Sequence, residues 1–416
     1  MNNGLPDGWS LKKFGELSLF KGGSAFKETY QGNRTGSYPF IKVSDMNLLG
    51  NEKFIKDSSN WINEDIKIET KVTLFSKDVV VFAKVGAALL LNRRRILTRD
   101  TAIDNNMMAA VSICINNAYL YYLLQAIDFS NFVQSGAIPS INQGQLEVIP
   151  VLSPPLPEQQ KIAKILTSVD EVIETTETQI NKLKDLEKGM MNELLTKGIG
   201  HTEFKDSAVG RIPVGWEVKE FQEVSNVIDS LHQTPVFSST GFPMVRVSDI
   251  KQGKIKLEYT QKVKEDVFLQ FTKKYLPVLG DLLISRVGSY GVCSIVDTEQ
   301  QFCLGQNTAI IHPTTVLSKF LYYWIYSPSI FEQVENEVAG SSYKSLSLAT
   351  IRKLNIAIPS KLEQEKIANI IWSIDTNIEQ KQTKLTQSKN LKKSLMADLL
   401  TGKVRVKPNQ ELTELS

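Results

Sequence analysis

The chain is poor in the residues from which active sites and cross-links are usually built. It has only three cysteines, Cys114, Cys293 and Cys303, and no CxxC pair, which argues against a disulfide framework and a structural zinc site. His201, His232 and His312 are too scattered to supply a metal cluster and have no serine or cysteine partner at readable spacing. No G-x-x-x-x-G-K-[ST] loop is present, so no nucleotide-driven motor is encoded. No Asn-Pro-Pro-aromatic or Asp-Pro-Pro-Tyr stretch is available to hold a flipped adenine, and KGGS (Lys21 to Ser24) is a lone glycine pair without a dinucleotide site around it. The expectation is no catalytic residue, no cofactor and no metal. Long apolar runs are missing too: VVVFAKVGAALLL (Val79 to Leu91) is too short to span a bilayer and carries Lys84. With no apolar segment in MNNGLPDGWSLKKFG, the expected location is the cytoplasm, away from membranes.

Charge of one sign is also scarce. A net charge of +3 is small for a protein that grips DNA alone, because neutralising phosphates supplies non-specific affinity. Either nucleic acid is not the ligand or a partner shares the grip. The bulk composition, 42% hydrophobic and 22% charged over 416 residues, fits two or three ordinary globular domains.

What the chain does have is a repeat. EQQKIAKILTSVD (Glu158 to Asp170) returns roughly half a chain later as EQEKIANIIWSID (Glu363 to Asp375). LPDGWSLKKFGEL (Leu5 to Leu17) returns as IPVGWEVKEFQEV (Ile212 to Val224), YPFIKVSD (Tyr38 to Asp45) as FPMVRVSD (Phe242 to Asp249), and DVVVFAKVG (Asp78 to Gly86) as DLLISRVG (Asp281 to Gly288). MMNELLTKG (Met190 to Gly198) is echoed by SLMADLLTGK (Ser394 to Lys403), so the order is kept throughout. Two copies are too few for a solenoid. The pattern is a tandem duplication in which a globular part is followed by a long helix, twice.

Each helix, about 40 residues and roughly 60 Å long at the α-helical rise, carries a narrow apolar seam. In the first, Ile162, Leu166, Val169, Ile173, Ile180, Leu183, Leu186, Met190 and Leu194 fall at three- and four-residue steps; in the second, Ile367, Ile371, Ile374, Ile378, Leu385, Leu391, Leu395 and Leu399 do so. Thr176 and Ser388 are polar breaks in it. Pro154, Pro155 and Pro157 announce the start of the first helix, and Gly198 with Gly200 its end. A seam this long points to an antiparallel coiled coil of the two helices; the alternative is that each packs only on its own globular part.

The globular parts read as mixed α/β (α+β). FIKVSD, KDVVVFA, MVRVSDI and DLLISRVG have strand character, and NNAYLYYLLQAI (Asn116 to Ile127) and LSKFLYYWIYS (Leu317 to Ser327) have helical spacing. Tyr121, Tyr122, Tyr322 and Tyr323 sit among Leu and Ile, which favours core aromatics over base-stacking groups.

A P-x-G-W turn opening each globular part and a helix entered through LPEQQKIA or LEQEKIA resemble the specificity subunit of type I restriction-modification systems, from Leu5 to Lys403. PSKLEQ replaces PPLPEQ before the second helix, a weaker proline stop. The resemblance implies a target-recognition domain at 1–154, a spacer helix at 155–200, a second target-recognition domain at 201–359, a second spacer helix at 360–404 and a flexible tail at 405–416. It also implies a pseudo-two-fold arrangement, duplex DNA as ligand, two modification subunits docked alongside, and restriction and motor subunits in the full complex. The related specificity subunit of a type IIB system is an alternative; a protein-only coiled-coil adaptor, or an enzyme with an unfamiliar site, lies further off.

Candidate DNA contacts follow from side-chain chemistry. In NRRRILTR, Arg93, Arg94 and Arg95 have the fork that bonds guanine O6 and N7 or holds phosphates, with a solvated charged hairpin as the alternative. Lys84 before Gly86 and Arg286 before Gly288 occupy matching places in the two copies. Asn105 and Asn106, with Gln306 and Asn307, carry amides suited to adenine, although turn capping explains them as well. Asn142, Ser289, Tyr290, Ser342, Tyr343 and Lys344 complete the set from polar loops, while Ser44, Asp45, Ser248 and Asp249 read as structural turns.

Overall fold

The structure is a computed structural model and describes residues 5–133, 138–339 and 345–406. The chain forms two compact units, Met1–Glu177 with Lys384–Ser416 and Thr178–Thr383.

The first unit is built on a five-stranded sheet in the order Ser18–Gly22, Met107–Ser112, Val80–Ala83, Arg94–Leu97, Phe54–Ile55. All neighbours are antiparallel except the last pair, which is parallel. A four-stranded sheet stands beside it, ordered Trp61–Ile62, Tyr38–Ile41, Thr101–Ile103, Leu74–Phe75. Strand Ser10–Lys13 pairs with Pro150–Ser153 and ties the start of the globular part to the residues that enter the first long helix.

The second unit repeats this plan. Its five strands run Ser225–Asp229, Thr308–Pro313, Leu282–Ser285, Cys293–Ile295, Gly253–Lys254, again with only the last pair parallel. Its smaller sheet has three strands, Gln261–Val263, Phe242–Val245 and Cys303–Leu304, and Glu217–Glu220 pairs with Asn355–Ile358. The tyrosine-bearing helices Asn117–Ala126 and Ser318–Ile325 bury Tyr121, Tyr122, Tyr322 and Tyr323 in the cores.

The first long helix runs Leu156–Lys197 and the second Lys361–Leu399, 42 and 39 residues. In the first unit, Glu158, Asp170 and Glu177 meet Arg405, Lys392 and Lys389, a descending order that makes the helices antiparallel. In the second unit Gln179 meets Lys381, and Ile199 meets Glu363, in the same sense. Each helix also packs on a globular core: Ile162 and Leu166 join Leu399 and Leu400 in the first unit, and Ile367 and Ile371 join Leu194 and Leu195 in the second. The helices are therefore paired, and because the first also packs in the second unit's core and the second in the first unit's, the account in which each packs only on its own globular part does not hold.

Along the seam, Ile180, Ile374 and Ile378 are buried, and Val169, Ile173, Leu183, Met190, Leu385 and Leu395 are half-buried. Thr176 is buried with its hydroxyl donating to the Val172 carbonyl at 2.6 Å, which satisfies it without a cross-helix partner. Leu186 and Leu391 are corrections to the reading of the seam: they are 49% and 52% exposed. At 3.6 residues per turn the inward face moves on by one residue there, so Glu187 and Lys392 turn inward in their place.

The repeated E-Q of EQxKIA is explained by its bonds. Glu158 accepts from the Trp9 indole at 3.0 Å, and Glu363 from the Trp216 indole at 3.2 Å, so each P-x-G-W turn is pinned to a helix entry. Gln159 accepts from Asn116 N at 2.9 Å and donates to Pro154 O at 2.9 Å; Gln364 does the same with Leu317 N at 3.0 Å and Pro359 O at 2.9 Å. Gly198 and Gly402 end the helices with φ of +65° and +72°, and a Cβ there would strike Trp216 and Glu363, or Pro6 and Trp9. Arg405, assigned from the sequence to a flexible tail, grips Glu158 at 2.8 and 2.9 Å.

Candidate nucleic-acid interface

In both units the same three segments converge beyond the end of the central strand. In the first, Lys84 N donates to Asn106 O at 2.9 Å, Ile141 N donates to Lys84 O at 3.0 Å, and Val85 bridges Ser140. In the second, Arg286 N donates to Asn307 O at 3.0 Å, Leu346 N donates to Arg286 O at 2.8 Å, and Val287 bridges Ser345. The matching places of Lys84 and Arg286 are thus the same place in the fold. Asn105, Asn106 and Gln306 are exposed beside them, and Asn307 is half-buried.

Local chemistry builds these loops. Asp104, buried at 5% exposure, accepts from Asn106 N at 2.9 Å, and burial pushes its carboxyl up from the usual range. Asn307 is left-handed at φ +64°, a conformation Asn tolerates better than most residues. KGGS also finds its reason. A Cβ on Gly23 would sit 2.0 Å from the Asp104 carbonyl, so the glycine permits a close backbone approach under the Asn105–Asn106 loop.

The arginine run is a correction. Arg94 and Arg95 are 1% and 8% exposed, on a strand whose four residues are all buried. The Arg94 guanidinium lies 3.8 Å from the Phe129 ring centroid and 5.3 Å from that of Phe82, and donates to Ile127 O at 3.2 Å. Burial pushes its pKa down to about 9, with Asp128 opposing. Arg95 donates to Met46 O and Arg94 O, both at 2.9 Å. Both guanidiniums are withdrawn from the surface and spent on internal partners. Only Arg93 is exposed, and its guanidinium bonds the Asn47 side chain.

Other candidates are held by the protein itself. Arg286 pairs with Asp229 at 2.6 Å and donates from Nε to Leu346 O at 3.1 Å, so it shapes the loop while remaining partly accessible. Asn142 caps a short helix by accepting from Gln145 N at 2.9 Å, and the Tyr290 hydroxyl donates to Glu335 at 2.9 Å. Ser289 is exposed. Ser342, Tyr343 and Lys344 lie outside the described residues.

Two cations escaped the sequence reading. Lys42 and Arg246 each precede the V-S-D turn, whose Asp45 and Asp249 carboxylates accept from the Lys42 and Arg246 amides at 2.7 and 2.9 Å. Arg246 also chelates Asp249 through Nε and Nη2, at 3.0 and 3.2 Å. It lines a 660 Å³ concavity with Phe237, Ser248, Lys251, Ser289, Gln306 and Asn307. The repeat held the signal, since a basic residue stands at the same place in IKVSD and VRVSD. Phe237 had no such signal.

Among the described residues, no group of His, Cys, Asp and Glu is arranged to hold a metal ion, and no helix is long and apolar enough to cross a membrane. Amides, hydroxyls and cations on paired loops are chemistry for reading a polymer of bases and phosphates.

Fold and loops together define a tandem recognition protein with two like units on paired helices. The chain belongs to the type I restriction-modification DNA specificity family, whose domain description matches residues 6–185 and 213–388. It is 26% identical over 414 residues to the type I restriction enzyme MjaVIII specificity subunit of Methanocaldococcus jannaschii, covering 97% of this chain and 94% of that one. To the putative MjaX specificity subunit of the same organism it is 33% identical over 302 residues, 70% of this chain and 68% of that one. The crystal structure of the type I S subunit from M. genitalium matches with a TM-score of 0.64 at 14% identity, covering 96% of this chain and 97% of that one.

Proposed function

We propose that this chain reads a bipartite, asymmetric duplex DNA site, one half with each unit, and directs methylation and restriction by partner subunits. One observation carries the reading. The same loop constellation occurs twice on the same five-stranded sheet plan, with the asparagine kept at Asn106 and Asn307 but Lys84 and Asn105 set against Arg286 and Gln306. Equal frameworks with unequal readers suit a site whose halves differ in sequence. The chain is a non-catalytic specificity subunit that works in a complex with other subunits and DNA. The finer reading is two modification subunits, one for each copy of the helix entry, with restriction and motor subunits in the full assembly in the cytoplasm. The names of the relatives favour type I over type IIB partners.

The test is to sequence methylated adenines in host DNA with and without the gene, then with Gln306→Ala. Loss of one set of sites with the gene, and relaxation of a single half-site with the variant, is expected. Relaxation of both halves would count against one half per unit. A mass measurement showing one modification subunit per complex would overturn the stoichiometry.

A further inference from the structure

The second unit contains a carboxylate pair that the first unit does not. Glu187 on the first long helix and Asp375 on the second line the same 490 Å³ cavity, at the places in the repeat where Lys392 and Asp170 meet at 2.7 Å in the first unit. The Tyr323 hydroxyl donates to Asp375 at 2.6 Å. In the repeat Asp375 corresponds to Asp170, which also accepts from a tyrosine, Tyr122, at 2.7 Å. There the likeness ends. Asp170 is bound by Lys53 and Lys392, each at 2.7 Å. The residue matching Lys392 is Glu187, and the residue ahead of Gly253–Lys254, where Lys53 stands ahead of Phe54–Ile55, is Gln252. The aspartate has been kept and both of its cations have been replaced.

Two carboxylates that share one site favour holding a proton between them, since like charges disfavour ionisation and neither ionised group is a donor. The surrounding cations do not remove that preference. Lys184 faces the cavity from the first helix, Glu379 from the second, and Lys254 and Lys256 from the strand segment. Lys254 is paired with Asp297 at 3.2 Å, and Lys319 lies over the Trp372 ring at 4.5 Å. Tyr322 is engaged by Gly253 N at 2.8 Å. None of these lysines comes within ion-pair distance of Glu187 or Asp375.

We propose that Glu187 and Asp375 share one proton and act as a pH-sensitive latch on the helix pair of the second unit. With the proton, Glu187 donates to Asp375 and the helices are joined; without it, two negative charges face each other across the seam. Burial, then the charge and hydrogen bond of Asp375, push the Glu187 carboxyl up to about 7, with Lys184 opposing. A raised carboxyl stabilises the fold fully below its unfolded value, 4.5, and that contribution is lost as pH rises to about 7. Asp170 behaves oppositely. Burial pushes it up, but bonds from Lys392, Lys53 and Tyr122 outweigh this and hold it below the usual range. Its contribution is present above the ordinary aspartate value and is lost only in acid. The two halves of one helix pair thus respond to pH in opposite directions.

The test uses hydrogen exchange of the full chain, corrected for intrinsic rates, at about pH 5.5 and about pH 8. Peptides from 178–197 and 365–383 are expected to lose protection several-fold more on raising the pH in the wild type than in Glu187→Gln. Glu187→Lys, which copies the ion pair of the first unit, is expected to keep its protection at the higher pH. Peptides from 156–177 should show no such change. Asp375→Asn serves as the second variant if Glu187→Gln does not fold. Equal pH responses in the wild type and in whichever neutral variant folds would overturn the latch. That outcome would leave the DNA-reading function untouched, because the measurement contains no DNA.

Discussion

The two units solve one anchoring problem with different charges. In the first, Glu158 holds Trp9 and is clamped by Arg405; in the second, Glu363 holds Trp216 and meets His201 Nε2 at 2.8 Å. Burial pushes Glu158 up, but the bonds from Arg405 and Trp9 outweigh it and keep the carboxyl below the usual range. Further along, Asp170 has two lysines while Asp375 shares its cavity with a glutamate. Duplication preserved the geometry, and divergence changed which charges it holds. The tryptophan–glutamate and glutamine bonds at the helix entries recur in both copies, whereas the ion-pair partners differ.

The largest effect that would break the likeness is at the tryptophans. Trp9→Ala and Trp216→Ala each empty a core site, 6% and 1% exposed, and are expected to cost about 3–5 kcal/mol. Denaturant unfolding should show similar losses; a loss at only one would mean that the P-x-G-W turns are not equivalent anchors.

Asp170→Asn and Asp375→Asn should then part company. The first strands two part-buried lysines and is expected to destabilise by about 3 kcal/mol at neutral pH. The second relieves a repulsion and is expected to be neutral or stabilising under the same conditions, by melting temperature. In acid the wild type and Asp170→Asn should converge as Asp170 takes up a proton, since its contribution falls with pH. Losses of equal size would remove the charge difference between the units.

Arg94→Ala is expected to cost about 2–3 kcal/mol, because its site between two phenylalanines collapses poorly. Arg93→Ala should leave the melting temperature unchanged and weaken DNA binding by the assembled complex. The reverse pattern would return Arg94 to the DNA face.

The smaller effects concern reading. Asn105→Ala and Gln306→Ala are expected to cost about 1–3 kcal/mol of discrimination, each in a different half-site. Lys84→Ala is expected to lower the salt dependence of binding by about one unit of slope with little change in sequence preference. Competition binding across salt concentrations checks both, and a shared half-site would sink the assignment.

The order of elements, the two long helices, their apolar faces and the duplication were legible in the sequence, because they rest on period and repetition, which are local properties of the chain. The correspondence of Lys84 with Arg286 was legible for the same reason. Burial of Arg94 and Arg95 was not: the rings that receive Arg94, Phe82 and Phe129, come from other strands and loops, and a run of arginines looks the same in a hairpin or a core. Arg405 looked like tail because Glu158, its partner, is far away in sequence. The meaning of Glu187 was hidden in the same way, since a glutamate among lysines on a helix reads as a solvated face. Sequence alone determined which residues recur and at what spacing; only the tertiary structure decided which charges meet, because a charge takes its energy from neighbours and burial that the fold supplies.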